Sequence, residues 1–322
     1  MPRENGYVSP LLSNLSQDYS RKVREGLIGS LLLPRVLVDK PSGEYAVFNA
    51  ETAYKVPDTT MAGERSQARE FNASGKPERF SCVPHGLKSF IDSGNLEFTD
   101  GPFKTWEKNK VELLTSKLEL SQEKRIADTI LRLPNRSVAM AGTGTTKGKK
   151  WAVTGASTGG NPHGDILDAI AQCFFRPNIM VIPESVFDAI EYHPVLIAKL
   201  GESNMIKKVD ETTLAKLFRI DRVVIAKGKA DFGKRNDKSE VTLTGIWGNN
   251  VILAYTSDVW DEPCVGKTVS VRYQAADNNG YIVRTWDEED GGLLGGEYVQ
   301  VGHDVAELIQ AKDLVYTIKD VL

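Results

Sequence analysis

The segment from residue 41 to residue 85 constrains the fold of this 322-residue chain more than any other. Apolar and polar side chains alternate from Ala46 to Val56, which predicts a β-strand. A polar stretch follows over Asp58–Lys76, and a second strand-like run, Arg79–Val83, completes the pattern of a long β-hairpin. A two-stranded hairpin is only marginally stable alone in water, and such an excursion is uncommon inside a compact domain. We therefore predict that this hairpin lies on another subunit.

A long helix is predicted over Pro102–Leu133, where apolar residues recur at helical spacing with Lys and Glu between them. Pro134 ends the helix, because proline disfavours helical geometry in the residue before it. At 1.5 Å per residue such a helix is about 45 Å long, which predicts a spine for the subunit rather than a packing helix of average size.

The residues on either side of this spine predict an α+β fold. Residues 1–40 are predicted to form an arm with a short helix over Ser16–Leu33, whose apolar stripe would be Tyr19, Val23, Leu27 and Leu31. After the spine, short strands alternate with helices, which predicts a small mixed sheet with helices packed on it. The predicted helices there are 165–175, 184–193 and 212–220, and the strands are 178–183, 222–226 and 251–255.

The last sixty residues turn to β-structure. Strands are predicted at 268–273, 280–286 and 297–301, and a terminal strand at 314–318. A helical turn is predicted over Asp304–Gln310, just before the terminal strand.

Composition argues against several classes of protein. The formal net charge is −3 and no basic stripe stands out, so the chain lacks the features of a specific DNA-binding protein. The cysteines Cys82, Cys173 and Cys264 are odd in number and far apart, which indicates free thiols in a reducing compartment. The most apolar window, Leu27–Val38, is too short to span a bilayer, and no signal-type segment precedes it. We expect the protein to be made and used in the cytosol, without a membrane partner.

The motifs that could indicate a cofactor or a catalytic site lack the neighbouring sequence that such sites require. The stretch Val153–Gly160 superficially resembles the glycine loop of short-chain dehydrogenases, but it lacks a long apolar strand before it, and Asn161 and Pro162 follow it. The glycines of Gly142–Lys149 do not have phosphate-loop spacing. The four histidines are too dispersed for a metal motif, and the acidic run Asp287–Asp290 is best explained as a solvated loop. We therefore predict no enzyme activity, no cofactor and no metal.

The order of these parts resembles the major capsid proteins of tailed bacteriophages, whose HK97-like fold is shared with encapsulins. The local sequences that carry the resemblance are a strand, helix and His-Pro turn over Asn178–Pro194, the helix–strand pair Asp210–Ala226, and the strands Val251–Tyr255 and Lys312–Lys319. Together they cover most of residues 41–322.

The resemblance implies a division of the chain and a role for each part. Residues 1–40 would be the N-terminal arm, 41–85 the extended loop, 86–134 and 257–322 the peripheral domain, and 135–256 the axial domain. Subunits of this family form pentamers and hexamers of an icosahedral shell around double-stranded DNA, which is bound nonspecifically. The resemblance also implies a separate scaffolding protein, a portal and decoration or cement proteins as partners, and localisation in the virion.

The hairpin is the expected contact between subunits. We predict noncovalent clasping of an adjacent spine, with the contact candidates Glu64, Arg65, Arg69 and Glu70. Two alternatives remain open at this point. One is an encapsulin-type compartment shell. The other is a cytosolic NAD(P)-dependent oxidoreductase that binds its cofactor at the loop around Gly155.

Overall fold

The computed structural model describes residues 7–24, 26–48, 56, 77–92, 104–133, 136–140, 149–152, 159–200, 209–233, 242–260, 262–277, 280–289 and 295–322. Within these residues the helices are α1 (Pro10–Arg24), α2 (Gly29–Leu32), α3 (Lys104–Arg132), α4 (Pro162–Gln172), α5 (Glu184–Ile190), α6 (Pro194–Leu200) and α7 (Glu211–Phe218). The strands are β1 (Tyr7–Val8), β2 (Arg35–Val38), β3 (Ser42–Ala46), β4 (Pro77–Ser81), β5 (Val83–Asp92), β6 (Arg136–Ala139), β7 (Ile179–Pro183), β8 (Arg222–Ala226), β9 (Lys229–Ala230), β10 (Thr244–Gly245), β11 (Val251–Ala254), β12 (Gly266–Val271), β13 (Ile282–Glu288), β14 (Gly296–Ile309) and β15 (Val315–Lys319). The mixture of helices and strands confirms the predicted α+β class.

A five-stranded sheet forms one half of the subunit, with the strand order β6-β15-β11-β7-β8. Its strands are apolar on both faces, and alternate residues serve two different cores. Met180 and Ile182 of β7 face one core, which they share with helices α4 to α7. Ile179 and Val181 face the other core, which contains residues of α2 and α3. The predicted strands 178–183, 222–226 and 251–255 are confirmed by this sheet.

A six-stranded sheet forms the other half, with the order β1-β13-β14-β12-β2 and with β5 also paired to β14. The predicted helical turn over Asp304–Gln310 is wrong, because β14 runs without interruption to Ile309 and pairs there with β12. Ala, Glu, Leu and Gln in this stretch favour helix locally, but pairing along β12 outweighs a weak intrinsic preference.

The last strand departs from the predicted grouping of residues 257–322. Strands β12 to β14 lie in the six-stranded sheet, but β15 pairs with β11 and β6 in the five-stranded sheet. The chain therefore crosses back between the halves just after β14. The strand itself was predicted correctly, but no sequence signal shows which sheet it joins.

Helix α3 connects the two halves as a spine. The helix predicted over 102–133 is confirmed within two residues at each end. Its N-terminal half buries Val111, Leu114 and Leu118 against the six-stranded sheet. Its C-terminal half buries Ile126 and Ile130 against the five-stranded sheet. None of the helices that the structure describes has the length and apolar character needed to span a bilayer.

The N-terminal segment packs on the spine instead of forming the helix predicted over Ser16–Leu33. Two helices, α1 and α2, replace it, and β2 pairs in parallel with β12. The predicted apolar stripe is also wrong for α1, whose buried residues are Leu12, Ser13, Ser16 and Ser20. Ser16 and Ser20 form hydrogen bonds with the spine, and Ser13 accepts one from the amide of Val283 in the six-stranded sheet. Polar side chains therefore fill positions that a hydrophobic pattern cannot identify.

Candidate assembly elements

The base of the predicted hairpin is a pair of antiparallel strands, β3 and β4. Gly43 lies opposite Phe80, and Tyr45 lies opposite Glu78. Antiparallel pairing is therefore confirmed at the base of the predicted hairpin, although β3 ends at Ala46, where the predicted first strand begins. Most residues of the two strands are exposed, and Arg79 Nε donates to Glu44 Oε1 over 3.0 Å in full contact with solvent. We call these two strands the hairpin stem.

Apolar packing holds the hairpin stem to the six-stranded sheet. The side chain of Phe80 covers Gly43, where a Cβ atom would come within 2.9 Å of the ring, so a side chain at residue 43 would displace Phe80. Tyr45 donates a hydrogen bond to Glu78 over 2.9 Å, and burial together with this carboxylate raises the pKa of Tyr45 to about 12. Buried residues that share this cluster are Tyr45, Cys82, Val269, Val271 and Leu308.

Two backbone hydrogen bonds and a pair of aromatic rings hold the base of the stem against the rest of the subunit. The amide of Cys82 donates to the carbonyl of Pro41 over 2.7 Å, and the amide of Phe48 donates to Gln310 over 2.8 Å. The Phe48 ring lies 5.9 Å from that of Phe175, and Phe175 belongs to the apolar core under the five-stranded sheet. The stem is thus rooted against both halves of the subunit, which fixes the direction in which it points.

A surface cleft of about 260 Å³ lies beside this root. Its lining combines the first strand of the stem with the loop before β12 and is formed by Tyr45, Ala46, Val47, Phe48, Trp260, Glu262, Pro263 and Gln310. Among its described lining residues the polar side chains are Tyr45, Glu262 and Gln310, and the others are apolar, so the cleft offers a concave and mainly apolar surface.

The predicted contact residues Glu64, Arg65, Arg69 and Glu70 lie outside the described residues. The predicted continuation of the first strand beyond Phe48 also lies outside them, with the exception of Val56, which is exposed. Their contact role stays a prediction.

The spine carries apolar side chains on its outer surface as well as on its buried face. Trp106 is 39% exposed and Leu113 is 50% exposed, and a spacing of seven residues places them on one stripe of the helix. Both residues belong to the apolar periodicity that predicts this helix, but the single chain leaves them partly exposed. Apolar periodicity cannot distinguish a residue that is buried by its own chain from one that is buried by a partner.

Two histidines that are distant in sequence are neighbours in the structure. His85 of β5 lies opposite His303 of β14, with ring centroids 6.1 Å apart. Burial lowers the pKa of His85, and the nearby Arg125 adds to the effect. In the part of the chain that the structure describes, however, no group of three or more potential ligands is placed to hold a metal ion.

Two other sequence motifs have clear outcomes. Asp287 and Glu288 belong to strand β13, so the prediction of a solvated loop at 287–290 is wrong for its first half. Gly159 and Gly160 are described, but residues 153–158 of the predicted glycine loop are outside the described residues. A Cβ atom at Gly159 would come within 2.6 Å of the Trp151 carbonyl oxygen, so backbone packing explains this glycine without a cofactor.

Comparison with known proteins gives the family. No protein-family model matches the chain. Over 257 residues the chain is 30% identical to the major capsid protein of Burkholderia phage BcepMu, which covers 77% of this chain and 76% of that protein. The chain belongs to the major capsid proteins of bacteriophages. It is also 25% identical over 294 residues to the major capsid protein of Pseudomonas phage JBD67, with 89% of each chain covered.

Solved structures agree with this capsid fold. A phage-related protein from Bordetella bronchiseptica RB50 superposes with a TM-score of 0.70 at 20% identity, covering 99% of this chain and 98% of that chain. The SrpI encapsulin from Synechococcus elongatus PCC 7942 superposes with a TM-score of 0.53 at 8% identity, covering 90% and 86%. These likenesses confirm the HK97-like fold that the sequence predicted. The protein is therefore a subunit of a phage capsid shell.

Proposed function

We propose that this capsid protein assembles into pentamers and hexamers that close an icosahedral shell around double-stranded DNA, and that its hairpin clasps the neighbouring subunit. The observation that carries the proposal is the rooted hairpin stem. Its root is fixed against both halves of the subunit, while most of its residues are exposed. Residues 47–76 separate the two strands of the stem, and an extended hairpin of that length would reach about 50 Å at about 3.3 Å per residue.

The exposed stripe of the spine is the surface that we assign to the hairpin of a neighbouring subunit. Trp106 and Leu113 provide apolar contact there. Lys108 and Lys117 are exposed on the same helix and would attract Glu64 and Glu70. Surface charge pairs contribute little singly, but each subunit has several neighbours, and many modest contacts in a closed lattice give a stable shell.

We assign the two sheets to the two domains that the resemblance implies. We assign the five-stranded sheet with α4 to α7 to the axial domain, which would meet its copies at the centre of each capsomer. The six-stranded sheet and the spine form the peripheral domain, which would contact adjacent capsomers. Strand β15 then belongs to the axial domain, unlike the remainder of residues 257–322.

The remaining partners follow from the family and from the charge of the chain. A net charge of −3 suits nonspecific contact with packaged DNA better than specific recognition. Assembly in the host cytosol would use a separate scaffolding protein, a portal and decoration or cement proteins. The protein would act only as a structural subunit, without enzyme activity or a cofactor.

A charge-reversal variant tests the proposed clasp. In this variant Glu64 and Glu70 become Lys, and Arg65 and Arg69 become Glu. Its matched control carries Asp and Lys at the same positions, so that each charge is kept. We expect the reversed variant to fold with an unchanged Tm but to yield capsomers or free subunits in negative-stain micrographs, while the control forms closed shells. Shells of the reversed variant at the wild-type yield would refute the role of these residues.

The encapsulin-type shell is the alternative function, because the SrpI encapsulin shares the fold. Nucleic-acid content separates the two. Purified particles from phage-infected cells should contain double-stranded DNA protected from nuclease. Shells that contain a protein cargo and no DNA would favour the alternative, and a monomer of about 35 kDa under all assembly conditions would refute both.

A further inference from the structure

Three strands of the six-stranded sheet, β5, β14 and β13, pack on the spine with one of their two faces. The side chains of that face belong to the apolar core that the spine shares, and they are Ile91, Val283, Val299 and Val301. Because successive side chains of a strand point to opposite faces of a sheet, the residues between them lie on the other face, which we call the outer face. Lys88 and Arg284 are exposed there.

Three aromatic side chains form a row across the middle of the outer face. Residues directly opposite each other in antiparallel strands share a face. Phe90 lies opposite Tyr298, and Tyr298 lies opposite Trp286. The rings of Trp286 and Tyr298 are stacked with their centroids 5.3 Å apart, and the Phe90 ring lies 5.0 Å from that of Tyr298. All three side chains are half-buried in the single chain, so this aromatic row keeps part of its apolar surface in contact with water.

A row of one charge lies on each side of the aromatic row. The basic row consists of Lys88, Gln300 and Arg284, which lie opposite one another in register. The acidic row consists of Asp92 and Glu288, which flank Gly296 on the middle strand. The two charged rows are four residues apart along each outer strand, which is about 13 Å. The aromatic rings therefore separate the two signs of charge within one copy.

The charged rows are available for a partner. Among the described residues, neither Arg284 nor Glu288 forms an ion pair or a side-chain hydrogen bond. The ammonium group of Lys88 lies 4.5 Å from the centroid of the Tyr298 ring, a cation–π contact that holds it beside the aromatic row without neutralising its charge. The outer face thus presents stacked rings between two separated lines of opposite charge.

This order of rows is complementary to itself under one two-fold rotation. If a second copy is turned about an axis that runs along the aromatic row, each strand faces its own counterpart in the reverse direction. The acidic row of one copy then lies over the basic row of the other, and the aromatic rows meet at the axis. Arg284 faces the partner's Glu288, and Lys88 faces the partner's Asp92. A two-fold contact is isologous, so each of these pairs occurs twice. A turn about an axis parallel to the strands would instead place like charges on each other.

We propose that two copies of this chain pack through their outer faces in this arrangement. Aromatic residues and arginine are enriched at the centre of protein interfaces, and this contact uses all three rows. Nucleic acid fits less well, because the acidic row would repel phosphate groups. The three rows cover roughly 300 Å² on each copy, below the roughly 800 Å² per partner of a stable complex. The dimer is therefore weak, and its population rises with concentration. The contact needs two subunits and no shell.

An exchange of charges on strand β13 tests the proposal, with sedimentation equilibrium of unassembled full-length subunits over a range of concentrations as the readout. Arg284→Glu alone places like charges over each other at two symmetric positions and should weaken the dimer by about tenfold. Arg284→Glu combined with Glu288→Arg should restore the dimer, because opposite charges again face each other across the axis. Trp286→Ala removes a central ring and should also weaken the dimer.

The matched control combines Arg284→Glu with Asp92→Arg. It has the same net charge as the exchanged variant but places like charges together on both β5 and β13, so it should stay monomeric. Thermal unfolding followed by circular dichroism checks that each variant keeps the wild-type fold. Wild-type subunits that stay monomeric at every concentration would overturn the proposal, as would an exchanged variant that associates no better than Arg284→Glu. A monomer that binds a single-stranded oligonucleotide, and loses it in Trp286→Ala, would overturn it in favour of a nucleic-acid partner.

Discussion

The substitution Gly29→Ala tests the packing of the N-terminal segment on the spine, because local and tertiary arguments predict opposite signs. Where the backbone can accept alanine, Gly→Ala stabilises a protein by about 0.4–1 kcal/mol through the unfolded chain. At Gly29 a Cβ atom would lie 2.6 Å from Glu123 Oε2 and 2.9 Å from Ile126 Cδ1. The alanine therefore fits only if Glu123 moves.

The cost of that movement follows from the contacts of Glu123. Its carboxylate accepts from the amides of Ile28 and Gly29 and, over 2.7 Å, from Trp247 Nε1. Burial raises the pKa of Glu123, and these donors oppose the effect. Weakened hydrogen bonds to a buried charged group cost about 1.5–3 kcal/mol, and overpacking at Ile126 adds about 1–3 kcal/mol. After the gain from the unfolded chain, we expect a net loss of roughly 2–4 kcal/mol.

Thermal unfolding of unassembled subunits, followed by circular dichroism, measures the effect. A loss of this size lowers the Tm by roughly 3–6 °C in a chain of 322 residues. Gly26→Ala is the matched control, because a Cβ atom there meets only the Val23 carbonyl oxygen at 3.6 Å, and its Tm should equal or slightly exceed that of wild type. A Tm of Gly29→Ala at or above the wild-type value would refute the reasoning.

Three further predictions concern stability and assembly. Burial raises the pKa of Glu297 to about 7, and repulsion and hydrogen bonding with Glu107 add to the shift. The folded protein therefore holds this proton more tightly than the unfolded chain, in which the pKa is the ordinary 4.5. Folding stability should consequently fall as the pH rises from about 4.5 to about 7. Urea titrations should show this fall in wild type and a smaller one in Glu297→Gln, and equal falls would contradict the assignment. Ile126→Ala, at a residue that is 1% exposed, should lower the free energy of unfolding by about 3 kcal/mol in urea, and a loss under about 1 kcal/mol would mean that the spine is not packed as described. Leu113→Lys should change subunit stability by less than about 0.5 kcal/mol but reduce the yield of shells in sedimentation, and an unchanged yield would exclude this stripe from the contact.

Much of the fold could be predicted from sequence where one rule dominated locally. The spine was predicted within two residues because helical periodicity persists over 29 residues and proline follows it. Strand β8 was predicted with its bounds, since a short apolar run lies between a helix and a charged loop. These elements bury most of their apolar residues within the same chain, so the pattern of the sequence and the burial in the structure largely agree.

The errors arose where tertiary contacts outweighed local preference. Residues 305–309 belong to β14 because β12 pairs with them, and a sequence pattern contains no information about that partner. The serines of α1 were missed because hydroxyl groups can fill a small interface as well as a solvent-exposed face. The exposure of Trp106 and Leu113 could not be predicted, because the sequence does not show which chain covers an apolar residue.

The candidate assembly element was found from sequence in part. The base of the hairpin was predicted because an alternating pattern with little to bury is unusual in a compact domain, and β3 and β4 pair as expected. The packing of Phe80 on Gly43, and the route from Phe48 to Phe175, could not be predicted, because both depend on contacts between distant parts of the chain.

Cross-linking of isotope-mixed shells tests most directly whether the hairpin lies on a neighbouring subunit. Subunits labelled with ¹⁵N and unlabelled subunits would be assembled together, and an amine-reactive reagent would join hairpin lysines (Lys55 and Lys76) to spine lysines (Lys108 and Lys117). The account predicts linked peptides that combine a labelled hairpin with an unlabelled spine, and the reverse. Hairpin–spine pairs in which both peptides always carry the same label would place the hairpin on its own subunit and contradict the account.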